Sequence, residues 1–183
     1  VNNGMALSLR WTAREGLGFL SAFHALNRSK SQEEIREALK GLVAPSVSVV
    51  WSDDEGHFGI QSAGRIPVRP PGSDGIVPLP AWTGVHDWMG YIPFDDLPAE
   101  VNPRDGYCVI ADGRPGGAGY PYFSGCYWSG LAKGDRIVEL IKGAREHYRE
   151  SLVEMQTDSF SPVARNLVPM LLAALEKHSR KTG

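Results

Sequence analysis

The stretch YCVIADGRPGG, residues 107–117, puts a carboxylate at the end of an apolar run. Tyr107 to Ala111 reads as a buried strand, and Asp112 follows at the mouth of a glycine-rich loop. A strand end gives a side chain rigid support beside an opening, a common setting for chemistry. A carboxylate held there can act as general acid, base, nucleophile or cation ligand. The groups that would work with it are scattered. His24, His57, His86, His147 and His178 each stand outside three- or four-residue spacing from another histidine or cysteine. Metal sites need several such ligands gathered, so none is expected. Asp53 to Gly56 lacks the alternating oxygen ligands of a calcium loop and reads as a solvated turn. Cys108 and Cys126 are too few for a disulfide framework and are expected as buried free thiols. GRPGGAG, Gly113 to Gly119, follows a strand but opens no helix, so a dinucleotide site fails on context and a flexible turn is expected. No nucleophile-elbow motif surrounds Ser129 or Ser161. The question left by Asp112 is which residue attacks a substrate.

The elements around these residues read as α+β. Leu7, Leu9 and Trp11 alternate with Ser8 and Arg10, which predicts a strand over ALSLRW. Phe19, Phe23 and Leu26 follow at helical spacing. Ser31 and Glu34 form a capping-box pattern that starts the next helix, with Ile35, Leu39 and Leu42 as its apolar stripe and Gly41 as its end. Val47, Val49 and Trp51 alternate, Asp53 to Gly56 turn, and Phe58 and Ile60 return, which predicts a hairpin. Residues 64–106 carry prolines at 67, 70, 71, 78, 80, 93, 98 and 103 and read as one long irregular loop. Its Trp82, Trp88, Tyr91 and Phe94 are expected to bury against a larger body, since a disordered linker would rarely hold so many aromatics. A helix is predicted to begin at Arg136, and another near Ser161 with Pro162 at its first position. Pro169 should kink that last helix, whose Val163, Leu167, Leu171 and Ala174 share one face.

The chain has 183 residues, 42% hydrophobic and 22% charged, which suits one domain spanning residues 1–183. A net charge of -2 leaves no basic footprint for nucleic acid. No apolar run approaches the roughly 18 residues of a membrane span.

Taken in order, several phrases resemble the penicillin acylase family of N-terminal-nucleophile amidohydrolases, which includes penicillin, cephalosporin and acyl-homoserine-lactone acylases. ALSLRWTA is similar to the family's strand after the nucleophile region, and FLSAFHALNRSKSQEEIREAL to its helix pair. SVSVVWSDDEGHFGIQSAGRIPVRPPG resembles its hairpin. VPLPAWTGVHDWMGYIPFDDLPAEVNPRDGYCVIADG resembles its long wrapped loop, and GDRIVELI and EMQTDSFSPVA the two segments that follow. The resemblance implies a segment of a four-layer sandwich with a long Pro/Gly-rich wrapped loop. It implies a parent enzyme that cleaves an acyl-amine bond through an acyl-enzyme. The attacking group would be the hydroxyl of a serine at the first residue of the large chain, with its own α-amine as base. Residue 1 here is Val1, so the expectation is an internal segment whose nucleophile lies elsewhere and which is inactive alone. Its partners would be the remaining segments of the parent and a small-molecule amide, with self-association through exposed surfaces as a further possibility. No cofactor is implied, and the family's location suggests a periplasmic or extracellular parent.

The resemblance also assigns three site residues. Asp112 falls where the family has an asparagine that helps form the oxyanion hole. Arg136 matches an arginine near the substrate, and Val47 a position lining the acyl pocket. Asp at 112 is a departure: two like charges about 4 Å apart cost about 4 kcal/mol at an effective dielectric of about 20. Asp112 therefore acts as a protonated donor, or the donor comes from elsewhere, or the chemistry is lost. Ser48 replaces a family asparagine. The family's structural calcium is not expected, because one of its carboxylate positions falls at about Ser124. The alternative, of a different class, is a non-catalytic scaffold or binding module that keeps the fold alone.

Overall fold

The computed structural model describes Gly4 and residues 6–182, with side chains to His178. Contacts divide the chain into two compact units: Val1–Cys108 with Arg114–Trp128, and Val109–Gly113 with Ser129–Gly183.

The first unit is a helix pair laid on a small antiparallel sheet. Helix α1 spans Phe19–Leu26 and α2 spans Gln32–Lys40. The predicted start of α2 is present, because the Ser31 hydroxyl accepts from the Glu34 N–H at 3.3 Å. The reciprocal arm reaches one residue further back, with Lys30 N–H donating to Glu34 Oε2 at 2.7 Å. Strand β1 covers Val47–Ser52, β2 covers Phe58–Ala63 and β3 covers Ala99–Val101, in the order β1-β2-β3. The hairpin register sets Val47 against Ala63 and Trp51 against Gly59. Ala22, Ile35, Leu39, Leu42, Trp51 and Ala63 form the core, with Val47 and Val49 packed against it. The alternation thus faces inward as expected. Gly59 is required by close approach: a Cβ there would sit 2.2 Å from the Glu100 carbonyl oxygen and 3.0 Å from the Trp51 ring.

Several expectations are corrected. ALSLRW is not a strand. Leu7 and Leu9 are 77% and 75% exposed, since no described strand lies beside them to accept their backbone hydrogen bonds. Tyr107 to Ala111 is also without strand pairing, so Asp112 does not end a strand. The 64–106 loop is less irregular than its prolines suggest. Val68 and Gly90 exchange bonds through Val68 N–H to Gly90 O (3.0 Å) and Met89 N–H to Val68 O (2.9 Å), Ile92 N–H reaches Ile66 O (2.9 Å), and β3 completes the sheet. Ile92 and Leu97 are its buried anchors. Trp88 is half-buried, between the guanidiniums of Arg10 at 4.5 Å and Arg69 at 5.4 Å. Trp82, expected to bury, is 89% exposed on a one-turn helix at Ala81–Thr83 that has no buried residue. The glycine-rich loop after Asp112 is strapped rather than free. Tyr120 and Tyr122 donate to Asp96 O (3.0 Å) and Oδ2 (2.6 Å), and Arg114 donates to the Tyr122 carbonyl at 2.8 Å. Both thiols are free, but neither is buried: Cys108 is half-buried and Cys126 is exposed.

The second unit is helical: α3 spans Ala132–Lys142, α4 spans Arg149–Gln156 and α5 spans Pro162–Thr182. Helix α3 begins four residues before Arg136, so that arginine lies in its second turn rather than at its start. Helix α4 carries no long apolar stripe to announce it. It begins where Tyr148 N–H donates to the Ser151 hydroxyl at 3.0 Å. Pro162 opens α5 as expected, and Ser161 Oγ accepts from Ala164 N–H at 3.2 Å. The α5 face of Val163, Leu167 and Leu171 stands about half exposed. Among the described residues no helix is long and apolar enough to cross a membrane.

Candidate functional site

Two of the three residues singled out by sequence, Asp112 and Arg136, lie in the second unit, and Val47 lies in the first. Small residues seat Asp112 on the start of α3. An added Cβ on Gly134 would touch Ala111 at 3.4 Å, and one on Gly113 would press Leu131 at 3.1 Å. Ser129 N–H donates to the Asp112 carbonyl at 3.1 Å. The Asp112 side chain, 49% exposed, accepts a short hydrogen bond from the Lys133 ammonium in the first turn of α3. Lys133 was not singled out by sequence. Its only signal is opposite charge, and twenty-one residues of irregular chain hide the pairing.

One turn further along α3, Arg136 holds the unit together. Its Nε and Nη2 donate to both oxygens of Asp158 at 2.8 and 3.0 Å, a bidentate fork. Its Nη1 lies 3.1 Å from Glu139 Oε1, and its guanidinium sits 4.5 Å over the Phe160 ring. Arg165, in the first turn of α5, donates to the same Glu139 oxygen at 3.4 Å and lies 5.3 Å over the same ring. Hydrogen bonding to Asp158 pushes the Arg136 guanidinium still further up, against the opposing pull of burial. The Arg136 hydrogen bonds in turn hold the Asp158 carboxyl below its usual range, against burial. Asp158 and Phe160 also escaped sequence reading, because EMQTDSFSPVA shows no periodicity that ties them to α3.

Val47 opens β1 at the edge of the core, and its neighbour Ser48 meets Ser62 across the hairpin, hydroxyl to hydroxyl at 2.8 Å. Asp53, at the hairpin turn, accepts from the Glu55 and His57 N–H groups and lies beside the His57 ring. Burial pushes it up, but hydrogen bonds from the His57 backbone, the His57 ring (3.0 Å) and Glu55 N–H outweigh this and hold it low. Burial, with the Glu100 charge, pushes the Cys108 thiol up. Ser73 contacts His86 Nδ1 at 2.8 Å, yet Ser73 is 3% exposed and its N–H closes a turn onto Pro70 O. It closes the loop. Among the described residues no group of three His, Cys, Asp or Glu is arranged to hold a metal ion. Ser124, matched to a calcium-ligating carboxylate, shares its hollow with the single carboxylate of Asp74 and the guanidiniums of Arg65 and Arg69, so cationic groups outnumber anionic ones around a divalent ion. These residues do not fit a calcium ion.

The family model described as penicillin amidase matches residues 1–182. The acyl-homoserine lactone acylase QuiP of Pseudomonas aeruginosa is 29% identical over 93% of this chain and 20% of its own length. Penicillin acylase 2 proenzyme of a Pseudomonas species is 26% identical over 87% of this chain and 20% of its own. Among solved structures, a thermostable penicillin G acylase from Alcaligenes faecalis matches with a TM-score of 0.63 at 20% identity, over 75% of this chain and 25% of that one. The chain thus spans about a fifth of the length of the curated relatives it matches.

Proposed function

Because the chain belongs to the penicillin amidase family, we propose that it forms part of a longer amide hydrolase that cleaves a linear acyl-amine bond through an acyl-enzyme. The observation that carries this reading is the family match along nearly the whole chain. It is supported by relatives named as acylases of homoserine lactones and of penicillin. In this reading the attacking serine hydroxyl, with its α-amine as base, comes from another part of the protein. Asp112 stands beside the developing oxyanion, Arg136 near the bound substrate and Val47 at the acyl pocket. Lys133 enters as the group that offsets the Asp112 charge. A bare carboxylate repels an oxyanion, whereas a carboxylate paired with an ammonium presents a much smaller field. The experiment is turnover by the longest form of the protein on acyl-homoserine lactones and penicillin G. Hydrolysis that disappears when the N-terminal serine of the large chain is replaced by alanine supports the reading. A correctly processed protein that turns over neither substrate, nor any other acyl amide, removes it.

One observation favours the second reading, a scaffold or binding module. Asp112 is half exposed and engaged with Lys133, which is not the apolar setting a protonated carboxyl donor requires. Sequence upstream of Val1 separates the two, since the enzyme needs a self-cleavage junction there and the scaffold does not.

A further inference from the structure

In the first unit, two hollows adjoin beneath the 64–75 loop. The smaller, about 160 Å³, is lined by Arg65, Arg69, Asp74 and the hydroxyl residues Thr12, Ser46 and Ser124. The larger, about 360 Å³, is lined by Pro70, Pro71, Ile92, Tyr122 and Phe123. Arg69, Asp74 and Phe123 belong to both linings, so the polar and the apolar hollow share a wall.

The charges of the small hollow are only partly met. Arg65 donates to Glu15 at 3.2 Å and is compensated. Arg69 has no carboxylate within ion-pair distance among the described residues. Its guanidinium lies 5.4 Å over the Trp88 ring and close across Gly75, where an added Cβ would come within 3.2 Å of Nη1. Those contacts fix the guanidinium without neutralising it. Asp74 is likewise without a cationic partner among the described residues, and its Oδ1 is oriented by the Ile76 N–H at 2.9 Å. Ser124 Oγ is buried with no hydrogen-bond partner. Buried hydroxyls nearly always find one, so an unmade bond marks a place for a ligand group. The small hollow therefore offers one uncompensated guanidinium, one uncompensated carboxylate and one unsatisfied hydroxyl, beside an apolar chamber.

A lone anion would meet Asp74 there, and a lone cation would meet two guanidiniums. A zwitterion meets neither penalty. We propose that the paired hollows bind a free α-amino acid with an apolar side chain. Its carboxylate takes Arg69 and the Ser124 hydroxyl, its ammonium takes Asp74, and its side chain fills the chamber of Pro70, Pro71, Ile92, Tyr122 and Phe123. A chamber of about 360 Å³ is in the range of small-molecule sites. This binding does not rest on the proposed amide chemistry.

The test is calorimetric titration of the purified chain with L-phenylalanine, 3-phenylpropanoate and 2-phenylethylamine. Saturable binding of L-phenylalanine is expected, with each single-charge analogue weaker by about tenfold or more. Asp74→Asn keeps the acceptor for Ile76 N–H but loses the charge, and should weaken L-phenylalanine by about tenfold. Arg69→Met should do the same, and circular dichroism checks the fold of each variant. Absence of saturable L-phenylalanine binding overturns the proposal. So does equal binding of 3-phenylpropanoate, or undiminished binding by folded Asp74→Asn.

Discussion

Asp112 and Lys133 are best understood as one electrostatic unit, because the carboxylate and the ammonium answer each other in the structure. In the active full-length protein, Asp112→Asn should preserve or raise kcat, because an amide donates to an oxyanion at any pH. A loss of about 10²–10³ in kcat in Asp112→Ala, the usual cost of one donor, would mark Asp112 as a protonated donor; as a carboxylate paired with Lys133 it has no proton to give, and Asp112→Ala should spare kcat. Lys133→Met should lower kcat by leaving the carboxylate uncompensated, and Asp112→Asn should restore it. A double-mutant cycle on kcat measures that coupling, and additive effects would separate the two residues. Asp53 gives a pH prediction. Its folded-state pKa lies below the unfolded value, so its contribution is present above the unfolded value of about 3.9 and is lost as pH falls through the folded pKa. Denaturant melts across about pH 2–6 should show wild type losing more stability on acidification than Asp53→Asn.

At the scale of elements, two joints hold the folded units. Helix α2 is fixed by its Ser31 cap and by Leu39, which is 0% exposed. Leu39→Ala should cost about 2–5 kcal/mol, and Ser31→Ala about 0.5–2 kcal/mol, by chemical denaturation. Helices α3 and α5 are joined through Arg136, Glu139, Arg165 and the Phe160 ring, with Asp158 just ahead of α5. Arg136→Ala should lower the melting temperature of the second unit, and Arg136→Lys should recover only part of it because an ammonium cannot make the bidentate fork. If Arg136 also lies near the substrate, the same variants raise KM in the full-length protein. Unchanged melting of Arg136→Ala would show that the fork carries no stability.

For the molecule as a whole, the chain spans about a fifth of its curated relatives, and apolar side chains from Leu7 to Leu175 stand exposed on both units. The purified 183-residue chain is expected to show no amidase turnover on penicillin G, acyl-homoserine lactones or other acyl amides. Turnover abolished by mutating a residue of this chain would place the nucleophile inside it and overturn that expectation.

What the sequence settled by itself was local. The Ser31–Glu34 cap, the stripe of Ile35, Leu39 and Leu42, the Val47–Trp51 alternation and the Pro162 start are signals carried within a few residues, and short-range geometry enforces them. Family membership was legible too, from phrases in fixed order along the chain. Strands expected from alternation at Leu7–Trp11 and from an apolar run at Tyr107–Ala111 failed because a strand exists only where a neighbour takes its hydrogen bonds. The same logic leaves Trp82 in solvent, since an aromatic ring buries only where a surface meets it. Proximities across long separations were hidden as well: Asp112 with Lys133, Arg136 with Asp158, and Ser124 with Arg69 and Asp74 in one hollow. Charge has no periodicity to read, so only the tertiary structure, by bringing distant turns to a few ångströms, decided which charges are met and which remain open.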